Sequence, residues 1–105
     1  MWIHADLLRP NVLVRDGQLR AVIDFDFGAT GVGDPTADVI APWSVFGRTG
    51  RRAFRENLDV GDGPWNRARG FALHQTALII PCYGRTNPEF VSLARCTVEE
   101  VLADA

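Results

Sequence analysis

The chain has 105 residues, a formal charge of −2, and 47% hydrophobic and 23% charged residues. This composition fits one globular domain or a piece of a larger one, and excludes a disordered chain, a collagen-like repeat and a disulfide scaffold. With that net charge the sequence lacks the basic excess of a nucleic-acid module, and because all 11 cations are Arg, a mechanism that needs lysine must import it from elsewhere.

The apolar run around residues 77–81 is far short of the ~20 residues a membrane helix requires. Met1-Trp2-Ile3-His4 lacks the basic and apolar regions of an export signal. The expectation is a cytoplasmic chain with neither a membrane nor a nucleic-acid partner. Cys82 and Cys96 are expected to be reduced and buried or half-buried, and no C-x-x-C pair suggests zinc.

In chain order, residues 11–14 read as a strand, Asp16-Gly17 as a tight turn, and residues 19–23 as the returning strand, so 11–24 form a β-hairpin. Residues 29–33 hold two glycines and read as a loop. Asp34-Pro35 has the form of a helix start, an acidic cap before a proline in the first turn. That helix is expected to run over 35–46, with Pro42 kinking it or ending it early. Residues 47–50 read as a break, 51–58 as a short helix, 59–63 as a turn, and 64–83 as a long helix stopped at Gly84. Residues 88–103 form the last helix, in which Phe90, Val91, Ala94, Val98, Val101 and Leu102 recur at three- and four-residue steps as a buried stripe. Trp2, Trp43 and Trp65 are read as core, His74 as half-buried, and Arg48, Arg51, Arg52 and Arg55 as a solvated helix face.

Three segments carry chemistry: His4-Ala5-Asp6 followed by Asn11, Asp24-Phe25-Asp26-Phe27-Gly28, and Gly33-Asp34-Pro35 with Asp38. Asn11 opens the hairpin and Asp24 closes it, so the fold-back makes them neighbours, with Asp6 just upstream. An amide oxygen beside carboxylates suits Mg²⁺, a hard cation that shares its shell with substrate phosphates. A free carboxylate next to it can orient a hydroxyl and accept its proton. Together these groups outline a phosphoryl-transfer site.

These motifs, in this order, resemble the aminoglycoside phosphotransferase family, also called the phosphotransferase enzyme family. Its loop reads like His-Gly-Asp-Leu-His-Pro-Gly-Asn, followed by Ile-Asp-Phe-Gly and Gly-Asp-Pro-x-x-Asp. The counterparts here are His4-Ala5-Asp6-Leu7-Leu8-Arg9-Pro10-Asn11, Ile23-Asp24-Phe25 and Gly33-Asp34-Pro35-Thr36-Ala37-Asp38. The resemblance covers residues 3–46 strongly and the rest loosely. It implies an α+β, mostly helical fold: the C-terminal lobe of a protein-kinase-like fold, with a small hairpin carrying the catalytic loop and metal site. It implies Asp6 as catalytic base, Asn11 with Asp24 or Asp26 as Mg²⁺ ligands, and His4, Asp34 and Asp38 as structural support. The reaction implied is transfer from ATP or GTP to a hydroxyl of a small molecule, aminoglycoside-like by resemblance.

Several positions depart from the family pattern. Ala5 replaces Gly, a mild change if φ there is negative. Leu8-Arg9-Pro10 replaces His-Pro-Gly, and Arg9 reads either as a cation near phosphate or as a surface charge. Asp24-Phe25-Asp26-Phe27 looks like a two-residue duplication: Asp24 keeps the hairpin spacing to Asn11, Asp26 keeps the spacing to Asp34, and the tight hairpin turn favours Asp24 as the ligand. The family's N-terminal nucleotide lobe and its lysine are expected to be missing. The alternative is therefore a non-catalytic truncated remnant or a helical interaction domain.

Overall fold

A computed structural model describes residues 1–25 and 31–104. The elements are β1 (Trp2–Ile3), a 3-10 turn (Arg9–Asn11), β2 (Val12–Arg15), β3 (Gln18–Val22), β4 (Gly31–Val32), a second 3-10 turn (Pro35–Asp38), α1 (Ala41–Ser44), α2 (Arg48–Asn57), α3 (Asp62–Tyr83) and α4 (Pro88–Ala103). The fold is α+β and mostly helical, with two small antiparallel sheets, β1 with β4 and β2 with β3.

The hairpin forms where the sequence places it. Asp16 and Gly17 take φ of 53° and 74°, the left-handed pair that matches the twist of a two-residue hairpin turn. Val14 pairs with Leu19 and Leu13 with Ala21, so Arg20 is an extra residue that bulges β3. The segment expected to be loop over 29–33 instead contributes β4, with Trp2 opposite Val32 and Ile3 opposite Gly31; residues 29 and 30 lie outside the described residues.

The single helix expected over 35–46 is divided. Asp34 caps a 3-10 turn by accepting the Thr36 N–H, and a new helix starts at Ala41. Pro42 cannot donate within a continuous helix, and it sits instead in the first turn of α1, where no donor is needed. Residues 47–50 are not a break, because α2 already begins at Arg48, with Gly47 as its cap residue. The last helix has the expected bounds, and the Asn87 side chain caps it by accepting the Phe90 N–H.

The core gathers Leu8, Ile40, Trp43, Trp65, Ala68, Ala72, Ile79, Ala94 and Val101. Alanines on both α3 and α4 let the two helices approach closely, and this pair forms the body onto which the loops dock. Trp43 and Trp65 are core residues, but Trp2 is exposed, because a two-residue edge strand has no second layer over it. His74 is exposed on α3. Arg51 is buried, not part of a solvated face; it pairs with Glu100 of α4. Cys82 and Cys96 are free and exposed, not buried. On α4, Thr97 is buried in place of the exposed Leu102. Among the described residues no helix is long and apolar enough to cross a membrane.

Candidate functional site

The loop over residues 4–11 is anchored at both ends. Asp38, in the 3-10 turn beyond β4, accepts the backbone N–H of His4 at 2.9 Å and of Ala5 at 2.7 Å. These two bonds hold Ala5 at φ 64°, a left-handed conformation that glycine adopts without strain. The substitution of Gly by Ala therefore costs conformational energy, contrary to the expectation of a mild change at negative φ.

His4 is buried and ties the loop to the hairpin. Its Nδ1 accepts the Asp6 N–H at 3.1 Å, which leaves the ring proton on Nε2, and that atom donates to the Ile23 carbonyl at 2.8 Å. The Phe25 ring packs edge-on against the imidazole, with centroids 4.5 Å apart. His4 therefore fixes the Asp6 backbone relative to the residue that precedes Asp24.

Asn11, also buried, uses Nδ2 twice. It donates to the Asp6 carbonyl at 2.9 Å and to the Asp6 carboxylate Oδ2 at 3.0 Å. Neither bond engages Oδ1, the atom that would serve a hard cation. The Asn11 carbonyl accepts the Ile23 N–H at 2.9 Å, so the hairpin register brings Asn11 alongside the Ile23-Asp24 exit of β3. Asp24 is exposed and adopts φ 65°. Two non-glycine residues in left-handed conformations, Ala5 and Asp24, thus flank one site.

Gln75 is a site residue that the motifs did not reveal. It lies midway along α3, and its Nε2 donates to Asp6 Oδ1 and, at 3.5 Å, to the Ala5 carbonyl. The two oxygens of Asp6 are therefore held from opposite sides, one by Asn11 and one by Gln75. The spacing Gln75, Leu78, Ile79, Cys82 is one helix face, so a polar residue on an otherwise apolar stripe was the available signal.

Asp6, Asn11, Asp24 and Gln75 all line one open cleft of about 710 Å³, which continues between α3 and α4. Asp34 stands outside it. Its carboxyl is held below the usual Asp range, first by the Thr36 backbone N–H and then by Arg67, which lies 3.5 Å away. Arg9 does not reach the cleft: its Nε donates to the Ser44 carbonyl at 3.1 Å. Asp26, the other candidate ligand, lies outside the described residues. Among the described residues no three His, Cys, Asp or Glu side chains form a cluster that would hold a metal by themselves. At the end of the cleft nearest the loop, the oxygen donors include the carboxylates of Asp6 and Asp24 and the amide of Asn11.

Compared with known proteins, the model of the phosphotransferase enzyme family matches residues 1–73. The matched span includes the whole loop, the hairpin and the Asp34 and Asp38 turn. No curated protein and no solved structure gave a match.

Proposed function

The chain belongs to the phosphotransferase enzyme family, and from that premise we propose that it is the catalytic-loop portion of a protein-kinase-like enzyme. It transfers a phosphoryl group from ATP or GTP to a hydroxyl of a small molecule. One observation carries this reading: Asn11 grips the Asp6 carboxylate while the hairpin delivers Asp24 to the same cleft.

Asp6 orients the acceptor hydroxyl and takes its proton as the oxygen attacks the terminal phosphorus and the bond to the departing nucleoside diphosphate breaks. Gln75 and Asn11 restrict the carboxylate to one orientation, so the acceptor meets a base already in place. Asn11 Oδ1 and the Asp24 carboxylate fit the donor set of Mg²⁺, with Asp26 the second candidate from the sequence. A bound Mg²⁺ would neutralise charge on the phosphates. His4, through its two ring nitrogens, and Asp38, through two backbone amides, hold the loop and touch no reacting atom. A cytoplasmic setting suits both the nucleotide and the two exposed thiols.

A second reading, a domain without activity of its own, draws support from one feature: none of the described residues lining the cleft is a cation. Calorimetric titration with Mg·ATP decides between them. The proposal expects binding at millimolar or tighter, lost in Asp24→Ala or Asp26→Ala. Heat indistinguishable from dilution in the unaltered chain would favour the inactive domain.

A further inference from the structure

The cleft that holds Asp6 extends well past it. From Gln75 to Tyr83 it follows α3 for about 12 Å at the rise of an α-helix. Leu78 and Ile79 form one wall and Phe90 and Leu93 of α4 the other, and the Tyr83 and Phe90 rings meet edge-to-face at 5.2 Å, which links the two helices at the far end. Leu78 is 54% exposed, and a large apolar side chain presented inside a concavity is characteristic of a ligand site.

Charge narrows the class further. Among the described residues, the charged groups lining the cleft are Asp6, Asp24 and Glu89. With Asp6 and Asp24 committed to the hydroxyl and the metal, Glu89 is the carboxylate among the described lining residues that remains for a cation on the acceptor. A ligand carrying several ammonium groups would place most of them against leucine, isoleucine and phenylalanine, where desolvation is uncompensated.

We propose that the acceptor is an alcohol carried on an apolar or aromatic body with no more than one positive charge, and that polycationic aminoglycosides are not its substrates. This rests on the phosphotransferase reading of Asp6. The hydroxyl faces Asp6 and Gln75, the body lies along Leu78, Ile79 and Leu93, and a single ammonium, where present, meets Glu89.

The test is a nucleotide-free titration of the purified chain, with the methyl NMR signals of Leu78, Ile79 and Leu93 as readout. One probe is phenylalaninol, which carries one hydroxyl, one ammonium and a benzyl group; the other is kanamycin. Phenylalaninol is expected to shift those methyls saturably, at a concentration at least about tenfold below any effect of kanamycin. Leu78→Gln, at an exposed position that leaves the core intact, is expected to weaken phenylalaninol on the order of fivefold. The inference is overturned by kanamycin binding as tightly as phenylalaninol, by phenylalaninol binding that ignores Leu78→Gln, or by no response to phenylalaninol. Because no nucleotide is present, this outcome is independent of the Mg·ATP titration, whose failure would instead remove the phosphotransferase reading itself.

Discussion

Asn11 Nδ2 donates at once to the backbone carbonyl and to the side-chain carboxylate of Asp6, closing a five-residue loop onto its own acid. Asn11→Ala is expected to lower the unfolding free energy by about 1–2 kcal/mol, since both acceptors lose a buried donor. Asn11→Asp should cost more, because a carboxylate then faces a carboxylate. Its deficit should shrink as pH falls through the carboxylate range and one of the pair takes up a proton. Urea unfolding at neutral and acid pH checks both; an Asn11→Asp deficit independent of pH would contradict the close pairing.

Ala5 invites the opposite change. Its left-handed φ costs about 1–2 kcal/mol for a residue with a Cβ. Glycine removes that strain but adds unfolded-state entropy worth about 0.4–1 kcal/mol. The relief of strain outweighs the added entropy, so Ala5→Gly should stabilise the chain by about 0.5 kcal/mol or slightly more, seen as a higher urea midpoint with an unchanged slope. A lower midpoint would mean that the loop does not hold this conformation.

The C-terminal end of the chain is pinned by a shared acceptor. Asp104 Oδ2 accepts the indole N–H of Trp43 at 3.2 Å and of Trp65 at 3.1 Å. Both rings are buried, with centroids 4.7 Å apart. Asp104→Ala orphans two donors and is expected to cost about 2 kcal/mol, with water reaching the rings and shifting tryptophan emission to the red. Unchanged emission together with unchanged stability would contradict the shared bond.

Asp34 carries a pH dependence of definite sign. Its pKa is depressed in the folded chain, chiefly by the Thr36 backbone N–H. Its contribution to stability is therefore complete above the unfolded-state value and is lost as pH falls through the lower folded value. Asp34→Asn should flatten the acid limb of the stability curve in that window and leave the neutral region nearly parallel. An unaltered acid limb would show that the cap does not hold the charge.

The sequence made legible what depends on neighbouring residues. The Asp16-Gly17 turn fixes the hairpin, and Asn87-Pro88 fixes the start of α4; both are local choices with one good solution. The family motifs likewise marked the loop, the hairpin and the Asp38 turn. What stayed hidden depends on partners far along the chain. Ala5 takes its conformation from Asp38, 33 residues away, and Arg51 is buried because Glu100 meets it from α4, 49 residues on. β1 and β4 are two residues each, too short to leave an alternation in the sequence, and exist only because distant segments meet. Gln75 reads as one more polar residue on a long helix until Asp6, 69 residues earlier, is placed against it.

The phosphotransferase reading requires that Asn11, with Asp24 or Asp26, faces one divalent ion bound with nucleotide beside Asp6. Titration of isotopically labelled chain with Mn²⁺ in the presence of ATP tests this most directly, because the paramagnetic ion broadens NMR signals around the place where it sits. Selective loss of the Asp6, Asn11 and Asp24 amide signals and of the Asn11 side-chain amide is expected, while the Thr97 and Val101 amides of α4 persist, with the effect abolished by Asn11→Ala. Broadening centred elsewhere, or none at saturating ATP, would contradict it.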